Sequence, residues 1–471
     1  MLVGRAKETE ILENALIDEK SHFIAIYGRR RIGKTYLVQE VFRERFTFQH
    51  AGIYEGKLKE QLFAFEASIK DAGGSSNKAN NWLEAFENLK DLIRKSIEKK
   101  KVIFIDELSW MDTPKSDFMR ALENFWNGWA VHRNDIVLIV CASATSWMLS
   151  KVVHNKGGLY NRLTEQIHLK AFTLKECEEF VNSKSLVLTR DQILEYYMVF
   201  GGIPYYWTYI EKGLSITQNI DKIIFQEDAP LRYEFDYLYA SIFKNPEVYI
   251  TIVKNLCKKK IGMTREEIIE ITGIVNSGDL TKKLEELESC GFIRKYNAFG
   301  MKKKNAVYQM MDNFTLFYYK FIENRPTDEH FWSNQINTPA VNSWKGLAFE
   351  RVCLSHVDQI KRKLGISGVL TEVNSWYCKE EKNKGIRGSQ IDLLIVRKDQ
   401  VINLCEMKYS TVEYTIDEKF SSNMNSKIND LIISTGTNYA IHPIIVTCVG
   451  TMDNKYSRNV QSVITLKDLF N

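Results

Sequence analysis

The chain of 471 residues is long enough for about three domains of ~150 residues each. Its composition of 44% hydrophobic, 26% charged and 12% aromatic residues excludes intrinsic disorder as the main state, because ample apolar surface is available to form cores. The net charge of +5 is too small to indicate a polyanionic partner by itself.

Residues 1–172 are predicted to form an α/β domain with a parallel sheet. Short apolar runs rich in β-branched residues alternate there with helical patterns. These runs are Phe23–Tyr27, Val102–Ile105, Ile136–Cys141 and Ile167–Leu169. Strands separated by helices are typical of parallel sheets with crossover helices.

Residues 173–245 are predicted to form a helical lid. The segment is rich in aromatic residues at helical spacing, and Gly201-Gly202-Ile203-Pro204 must break or sharply turn a helix. We expect the aromatic run Tyr205-Tyr206-Trp207-Tyr209, and the aromatic residues of Phe314–Phe321, to pack in a core rather than to stack on bases.

Residues 246–325 show the order of elements that is typical of a winged helix. Thr264 and Glu267 form a capping-box pattern that starts a helix near Arg265, and a second helix follows to about Ser289. Two short apolar runs then predict a hairpin. They are Phe292–Tyr296 and Ala306–Met310.

Residues 251–310 carry twelve basic residues against seven acids. Lys282 and Lys283 on the second helix, and Lys302–Lys304 at the predicted hairpin tip, are candidates for contacts with DNA phosphates. The alternative is a protein–protein spacer with solvated lysines. Glu285, Glu286 and Glu288 would repel phosphates, so any DNA contact favours the wing.

The remaining residues, 340–471, are predicted to form a second α/β domain. A helix around Lys345–Val357 precedes apolar strands. The predicted strands are Val369–Val373, Ile391–Val396, Val401–Met407 and Ile444–Cys448.

A Walker A pattern, G-x-x-x-x-G-K-S/T, lies directly after the first predicted strand. Glycine permits the loop to wrap a phosphate with its N–H groups, the lysine neutralises the β and γ oxygens, and the threonine hydroxyl ligates Mg²⁺. The pattern predicts a site for ATP and Mg²⁺. Its residues are Gly28, Arg29, Arg30, Arg31, Ile32, Gly33, Lys34 and Thr35, and Tyr36 follows them in the predicted set.

Two acids at the end of the second strong strand complete the predicted ATPase site. Asp106 is expected to hold Mg²⁺ and Glu107 to polarise the attacking water. After the third strand, the hydroxyl of Ser143 is a candidate for contact with the γ-phosphate or the water. The alternative for Ser143 is a simple helix cap.

Together with the segments Leu2-Val3-Gly4-Arg5-x-x-Glu8, Gly158–Arg162 and Gly202–Pro204, these motifs resemble the archaeal-type ATPases of the STAND/AAA+ group of P-loop NTPases. The resemblance covers roughly residues 1–245. It implies that the segment around Val3 lies against the adenine, that Pro204 lies near the nucleotide, and that Arg162 acts as a finger in trans within a homo-oligomer. A solvated helix-end arginine is the alternative for Arg162.

A second set of polar residues lies in the C-terminal domain. If the strands that carry Asp392 and Glu406 pair antiparallel, their carboxylates share a space suited to Mg²⁺ or Mn²⁺. Lys408 lies two residues after Glu406 and faces the same way, where it can orient a water or steady a scissile phosphate.

This arrangement resembles the PD-(D/E)XK nuclease superfamily, in which Glu350 matches an upstream helical acid. The resemblance implies a restriction-endonuclease-like fold with Glu350, Asp392, Glu406 and Lys408 as catalytic residues. Gln390 departs from the pattern, because relatives often carry another acid there. A degenerate domain that only binds DNA and a chance match remain alternatives.

Other site types and locations find no support in the sequence. The histidines lack metal-binding spacing, no G-x-S-x-G elbow occurs, and the eight cysteines never form C-x-x-C. Neither a targeting leader nor an apolar run near the ~18 residues of a membrane span is present, so we expect a cytoplasmic protein without membrane association.

Taken together, the sequence predicts an ATP-hydrolysing, DNA-processing protein whose ATPase module controls a Mg²⁺-dependent nuclease domain. The alternative is an ATP-dependent switch or scaffold that binds DNA or a protein partner and cuts nothing.

Overall fold

The computed structural model describes residues 2–75, 77–155, 157–243, 245–300 and 306–471. The chain divides into two compact units, one ending at Lys170 and the other running from Ala171 to Asn471. The boundary lies two residues from the predicted end of the first domain. Within these described ranges, no helix combines the length and apolar character that crossing a membrane requires.

The first unit is built on a parallel sheet with the strand order β2-β3-β4-β1-β5. The predicted parallel sheet is therefore confirmed. The prediction missed β2, whose buried and exposed residues do not form one apolar run. The strands are β1 (His22–Tyr27), β2 (Phe46–Ala51), β3 (Lys101–Asp106), β4 (Ile136–Ala142) and β5 (Glu165–His168).

Helices cover both faces of this sheet, because successive side chains of the buried strands point to opposite sides. On β1, Ile24 packs in one core with α1 and α2, whereas Phe23 packs in the other with α3, α4 and α6. The helices are α1 (Ala6–Ile17), α2 (Lys34–Phe42), α3 (Leu58–Asp71), α4 (Trp82–Lys95), α5 (Leu108–Met111), α6 (Phe118–Gly128) and α7 (Thr145–Met148).

The second unit begins with short helices. Gly201, with φ 60°, ends α9, and α10 begins at Pro204, which confirms the predicted break. The helices up to residue 242 are α8 (Leu174–Ser183), α9 (Arg190–Phe200), α10 (Pro204–Trp207), α11 (Ile216–Ile220) and α12 (Glu234–Ile242).

The next segment combines helices with a small antiparallel sheet of order β6-β8-β7. The capping box of Thr264 and Glu267 starts α14 at Arg265, as predicted. The elements are α13 (Pro246–Leu256), β6 (Met263–Thr264), α14 (Arg265–Thr272), α15 (Gly278–Ser289), β7 (Ile293–Tyr296), β8 (Val307–Met310), α16 (Asn313–Phe317) and α17 (Phe331–Asn334). Lys302–Lys304 lie outside the described residues, and the winged-helix assignment stays a prediction.

The C-terminal part contains a mixed sheet of order β13-β12-β11-β10-β9. Strands β9, β10 and β11 are antiparallel, and β11, β12 and β13 are parallel. Its elements are α18 (Pro339–Ser355), α19 (Val357–Lys363), β9 (Thr371–Cys378), β10 (Ser389–Arg397), β11 (Val401–Lys408), α20 (Glu418–Thr435), β12 (Ala440–Thr447), β13 (Ser462–Ile464) and α21 (Leu466–Leu469).

Most of the aromatic residues predicted to pack in a core do so, whereas Tyr205 is exposed and Tyr209 is half-buried. Tyr206 and Trp207 are buried, and so are Phe314, Phe317 and Phe321. The fold thus leaves most of these rings unavailable for stacking on a ligand.

Candidate functional site

The loop between β1 and α2 has the backbone of a phosphate cradle. Gly28 has φ 148°, and a Cβ atom there would lie 2.4 Å from the carbonyl oxygen of Leu169. Gly33 has φ 92° and caps the N-terminus of α2. Both positions therefore require glycine, one for close packing and the other for the turn. The N-terminus of a helix suits an anion, so the start of α2 fits a phosphate bound in this loop.

Lys34 lies inside this loop. Its ammonium donates hydrogen bonds to the carbonyl oxygens of Gly28 at 3.0 Å and Arg29 at 3.2 Å, and to the hydroxyl of Ser143 at 3.0 Å. The side chain is buried. The positive charge is thus held at the centre of the loop, where a polyphosphate oxygen can replace these neutral acceptors.

Strand order explains why Ser143 reaches Lys34. Strand β4 lies between β1 and β3, so the residue that follows β4 stands between the loop and the two acids at the end of β3. The hydroxyl of Ser143 donates to Glu107 Oε1 at 2.5 Å, and its backbone N–H donates to Glu107 Oε2 at 3.0 Å. Ser143 therefore connects Lys34 to Glu107 through hydrogen bonds. It is not the N-cap residue of α7, which is Ala144.

The predicted Mg²⁺ ligands are adjacent. The hydroxyl of Thr35 donates to Asp106 Oδ2 at 2.5 Å, and Asp106 is buried. A hydroxyl and a carboxylate beside a phosphate cradle form the oxygen donor set that Mg²⁺ prefers. The residues present thus fit a Mg²⁺ ion bound together with a nucleotide.

Other predicted nucleotide-site residues surround the loop. The guanidinium of Arg5 donates to the carbonyl oxygen of Ile32 at 3.4 Å and to that of Lys170 at 2.8 Å, which places the Val3–Arg5 segment beside the loop. Arg29 and Ile32 are buried, Val3, Arg30 and Arg31 are half-buried, and Thr35 and Tyr36 are exposed.

The structure does not bring Arg162 into this group through any described contact of its side chain. Arg162 is exposed, and its backbone N–H donates to the carbonyl oxygen of Leu159. Pro204 belongs to the second unit and begins α10. Their roles at a nucleotide stay predictions.

The acids predicted in the C-terminal domain converge. Leu393 pairs with Cys405 in the antiparallel β10–β11 ladder, so Asp392 and Glu406 occupy the next position along the two strands. Asp392, Glu406 and Glu350 are all buried. We call these three residues the acidic cluster.

Lysines compensate the acidic cluster. Lys260 Nζ lies 2.7 Å from Glu350 Oε1 and 3.2 Å from Asp392 Oδ1. Lys408 Nζ lies 3.6 Å from Glu406 Oε2, and Lys427 contacts the other oxygen of that carboxylate. The sequence reasoning missed Lys260 and Lys427. The lysines at 258–260 belong to the basic residues of the segment 251–310, but no local pattern connects them to Glu350 or Asp392.

The surroundings of Glu350 and Glu406 favour the neutral forms of these two carboxyls. Burial, with the Asp392 charge adding to it, raises the pKa of Glu350 to about 7, and the same two causes raise the pKa of Glu406. Burial lowers the pKa of Lys260, but the negative charges of Asp392 and Glu350 raise it by more. The net result is a raised pKa of Lys260. Lys260 therefore stays an ammonium between the two carboxyls.

A cleft of about 200 Å³ gives access to the cluster. Asp392, Glu406, Lys408 and Lys260 line it, and so does Gln390, whose amide is 3.5 Å from Asp392 Oδ1. Two carboxylates on paired strands suit a hard divalent cation. However, within the part of the chain that the structure describes, no group of three or more His, Cys, Asp or Glu side chains is arranged to hold a metal ion.

A cavity of about 700 Å³ adjoins the cluster through Lys260 and Glu350, which line it too. Lys254, Lys258 and Lys320 also line this cavity, and we call it the lysine cavity. The ammonium of Lys254 is already paired with Glu323 at 2.5 Å.

The lysines predicted to contact DNA from α15 are paired within the helix. Lys283 Nζ lies 2.8 Å from Asp279 Oδ2, and Lys282 Nζ lies 4.0 Å from Glu286 Oε1. Glu286 is buried and accepts a hydrogen bond from Tyr249. Because Glu286 points into the core, it does not contribute the surface repulsion expected of it.

Comparisons with known proteins bear on the first unit most directly. Residues 2–210 match the family model of an ATPase domain predominantly from Archaea. The chain is 27% identical over 420 residues to an uncharacterized protein of Methanocaldococcus jannaschii, covering 88% of each. It is also 41% identical over 54 residues to an uncharacterized ATP-binding protein of the same organism, covering 12% of this chain and 90% of that one.

Among solved structures, the Walker-type ATPase of Pyrococcus abyssi is similar over 68% of this chain and 96% of that one, with 15% identity and a TM-score of 0.47. A likeness at this TM-score says nothing of what this chain binds. The family match ends at residue 210, so the nuclease resemblance of the C-terminal part stays a prediction.

Proposed function

We propose that the archaeal-type ATPase domain at residues 2–210 binds and hydrolyses ATP and thereby controls a Mg²⁺-dependent nuclease at the acidic cluster. The observation that carries the ATPase part is the contact of Lys34 and Glu107 with one hydroxyl, that of Ser143. It supports a site in which one side chain, Ser143, hydrogen-bonds both to the lysine that would bind phosphate and to the acid that would activate water.

In this proposal, bound Mg²⁺ supplies positive charge to the phosphate oxygens. Thr35 and Asp106 would hold the ion. Lys34 exchanges its carbonyl acceptors for phosphate oxygens, and charge-assisted hydrogen bonds of this kind are the stronger ones. Glu107, held by two hydrogen bonds from Ser143, orients the attacking water and accepts its proton.

The nuclease part rests on the acidic cluster. Asp392 and Glu406 would hold the divalent cation, which acts there as a Lewis acid. Lys408, whose ammonium already faces Glu406, steadies the charge on the scissile phosphate. Glu350 shares with Asp392 the contact of the Lys260 ammonium.

DNA is the proposed partner of the second unit. The lysine cavity supports this, because its ammonium groups can contact phosphates and it adjoins the acidic cluster. A duplex or single strand bound there lies next to the residues proposed to cut it. Oligomerisation with Arg162 acting in trans belongs to the same proposal.

The second candidate is an ATP-dependent switch that binds DNA and cuts nothing. The specific observation in its favour is that lysines already compensate each carboxylate of the acidic cluster. Such pairing is expected in a degenerate site, where the charged residues stabilise the fold and do not cleave DNA.

Incubating the full-length protein with plasmid, ATP and Mg²⁺ or Mn²⁺ separates the two candidates. Cleavage that disappears in Asp392→Ala and Lys408→Ala supports the nuclease. ATP turnover that is lost in Lys34→Ala, together with intact plasmid in every sample, supports the switch. Absence of both ATP binding and ATP turnover in the wild type contradicts both candidates.

A further inference from the structure

We propose that Lys260 is a built-in counter-ion of the acidic cluster, which a divalent cation must displace in order to bind. This inference rests on the proposed metal at that cluster and adds to it a residue that governs metal affinity. Its basis is that the Lys260 ammonium contacts both Glu350 and Asp392.

The contact joins partners of very different exposure. The side chain of Lys260 is 42% exposed, whereas those of Glu350 and Asp392 are only 10% and 6% exposed. The ammonium therefore covers two buried carboxylates from the solvent side. Buried charges without a partner are costly, so the cluster needs a cation in every state in which both carboxylates are ionised.

The backbone of Lys260 is fixed independently of its ammonium. Its carbonyl oxygen accepts hydrogen bonds from Arg351 at 2.5 Å and from Gln309 at 2.7 Å. Arg351 is the neighbour of Glu350 on α18, and Gln309 lies on β8. The ammonium can thus leave the cluster by rotation of its own side chain, without movement of the segment before β6.

A divalent cation and this ammonium compete for the same oxygens. Ca²⁺ and Mg²⁺ bind carboxylate oxygens at about 2.0–2.6 Å, and an ammonium donates to them at about 2.7–2.9 Å. Asp392 is both a proposed metal ligand and a partner of Lys260. When the ion binds, the displaced ammonium remains in the lysine cavity, which Lys260 also lines, and adds one charge there.

The neighbouring lysine provides a matched control. Lys259 Nζ lies 2.5 Å from Glu267 Oε1, a residue of α14 rather than of the cluster. Replacing Lys259 removes the same charge from the same segment and leaves the contacts of Lys260 in place.

The test is the affinity of the full-length protein for Mn²⁺ alone, measured by titration calorimetry and by the electron paramagnetic resonance signal of free Mn²⁺. We expect Lys260→Gln to bind Mn²⁺ about tenfold more tightly than the wild type, because one competing charge is gone. Lys259→Gln is expected to match the wild type. The gain must vanish in the double variant Lys260→Gln/Asp392→Asn.

Equal or weaker binding by Lys260→Gln overturns the proposal, and so does absence of Mn²⁺ binding in both proteins. Should Lys260→Gln fail to fold, Lys260→Arg carries the test. Its guanidinium can hold both carboxylates and is expected to weaken Mn²⁺ binding, so unchanged or tighter binding overturns the proposal. A tenfold gain without any plasmid cleavage leaves this inference standing and contradicts the nuclease alone.

Discussion

The hydroxyl of Ser143 accepts a hydrogen bond from Lys34 and donates one to Glu107, so a single side chain links the lysine proposed to bind phosphate to the proposed catalytic acid. The link depends on β4 lying between β1 and β3 in the sheet. When Lys34 turns to a bound phosphate, Ser143 loses one partner. In the proposed function, the position of Glu107 is thereby coupled to the occupancy of the loop.

Removal of the Ser143 hydroxyl tests this coupling. Glu107→Gln is expected to lower ATP turnover by about 10²–10⁴-fold with binding preserved, because the general base is lost. Ser143→Ala should lower turnover less than Glu107→Gln, since the backbone N–H of Ser143 still holds Glu107. Phosphate release in single-turnover assays measures both. Ser150→Ala, which changes an exposed serine, is the control. Full ATP turnover in Ser143→Ala would contradict the coupling.

The two loop glycines are expected to differ in their contributions to stability. In Gly33→Ala the new methyl meets nothing within 4 Å, so the cost is backbone strain of about 1–2 kcal/mol. In Gly28→Ala the methyl also collides with the carbonyl of Leu169, so the loss must be larger. Urea unfolding followed by circular dichroism measures both. A Gly28→Ala protein as stable as Gly33→Ala contradicts the described packing.

The lysine cavity should contribute to DNA affinity. Lys258 and Lys320 are exposed and line it. Each change to Gln is expected to reduce the slope of log affinity against log salt by about 1, because one phosphate contact is lost. Fluorescence anisotropy with a labelled oligonucleotide at several salt concentrations gives the slopes. Lys212→Gln changes an exposed lysine that does not line the cavity, and it should keep the wild-type slope. Wild-type slopes in Lys258→Gln and Lys320→Gln as well would exclude the cavity as the DNA site.

A buried histidine makes the second unit sensitive to acid. His356 Nε2 accepts from the Leu174 N–H at 3.0 Å, and Nδ1 lies 2.7 Å from the carbonyl oxygen of Val352, which fits the neutral ring. Burial lowers the pKa of His356 from 6.5 to about 4. The unfolded chain therefore binds the proton first, and stability is lost as the pH falls from 6.5 towards 4.

As the pH falls from 6.5 to 4, the free energy of unfolding is expected to decrease by roughly 3 kcal/mol because of His356. Urea unfolding at pH 7 and pH 4.5 should show a smaller difference for His356→Gln than for the wild type. His330→Gln, an exposed histidine, should keep the full difference. An unchanged pH dependence in His356→Gln contradicts the account of this ring.

Local sequence signals were sufficient for much of the fold and for the loop site. Apolar runs marked β1, β3 and β4, and the glycine–lysine pattern marked the loop, because these features lie within a few consecutive residues. Strand β2 was missed because its buried and exposed residues alternate imperfectly. The pairing of Asp392 with Glu406 followed from a hairpin, which is also a local feature.

Contacts between distant segments could not be predicted in the same way. Lys260 reaches Glu350 and Asp392 only because the segment before β6 packs against α18 and β10. Nor does the spacing of Lys34 and Ser143 reveal their contact, which depends on the sheet order. Such through-space pairs leave no pattern in a single sequence.

The most direct test of the central claim is isothermal titration of the full-length protein with ATP in the presence of Mg²⁺. We expect saturable binding of one nucleotide per chain by the wild type and loss of that binding in Lys34→Ala. Absence of a binding isotherm for the folded wild-type protein, or equal affinity in Lys34→Ala, would contradict the assignment of the loop from Gly28 to Thr35 as a nucleotide site.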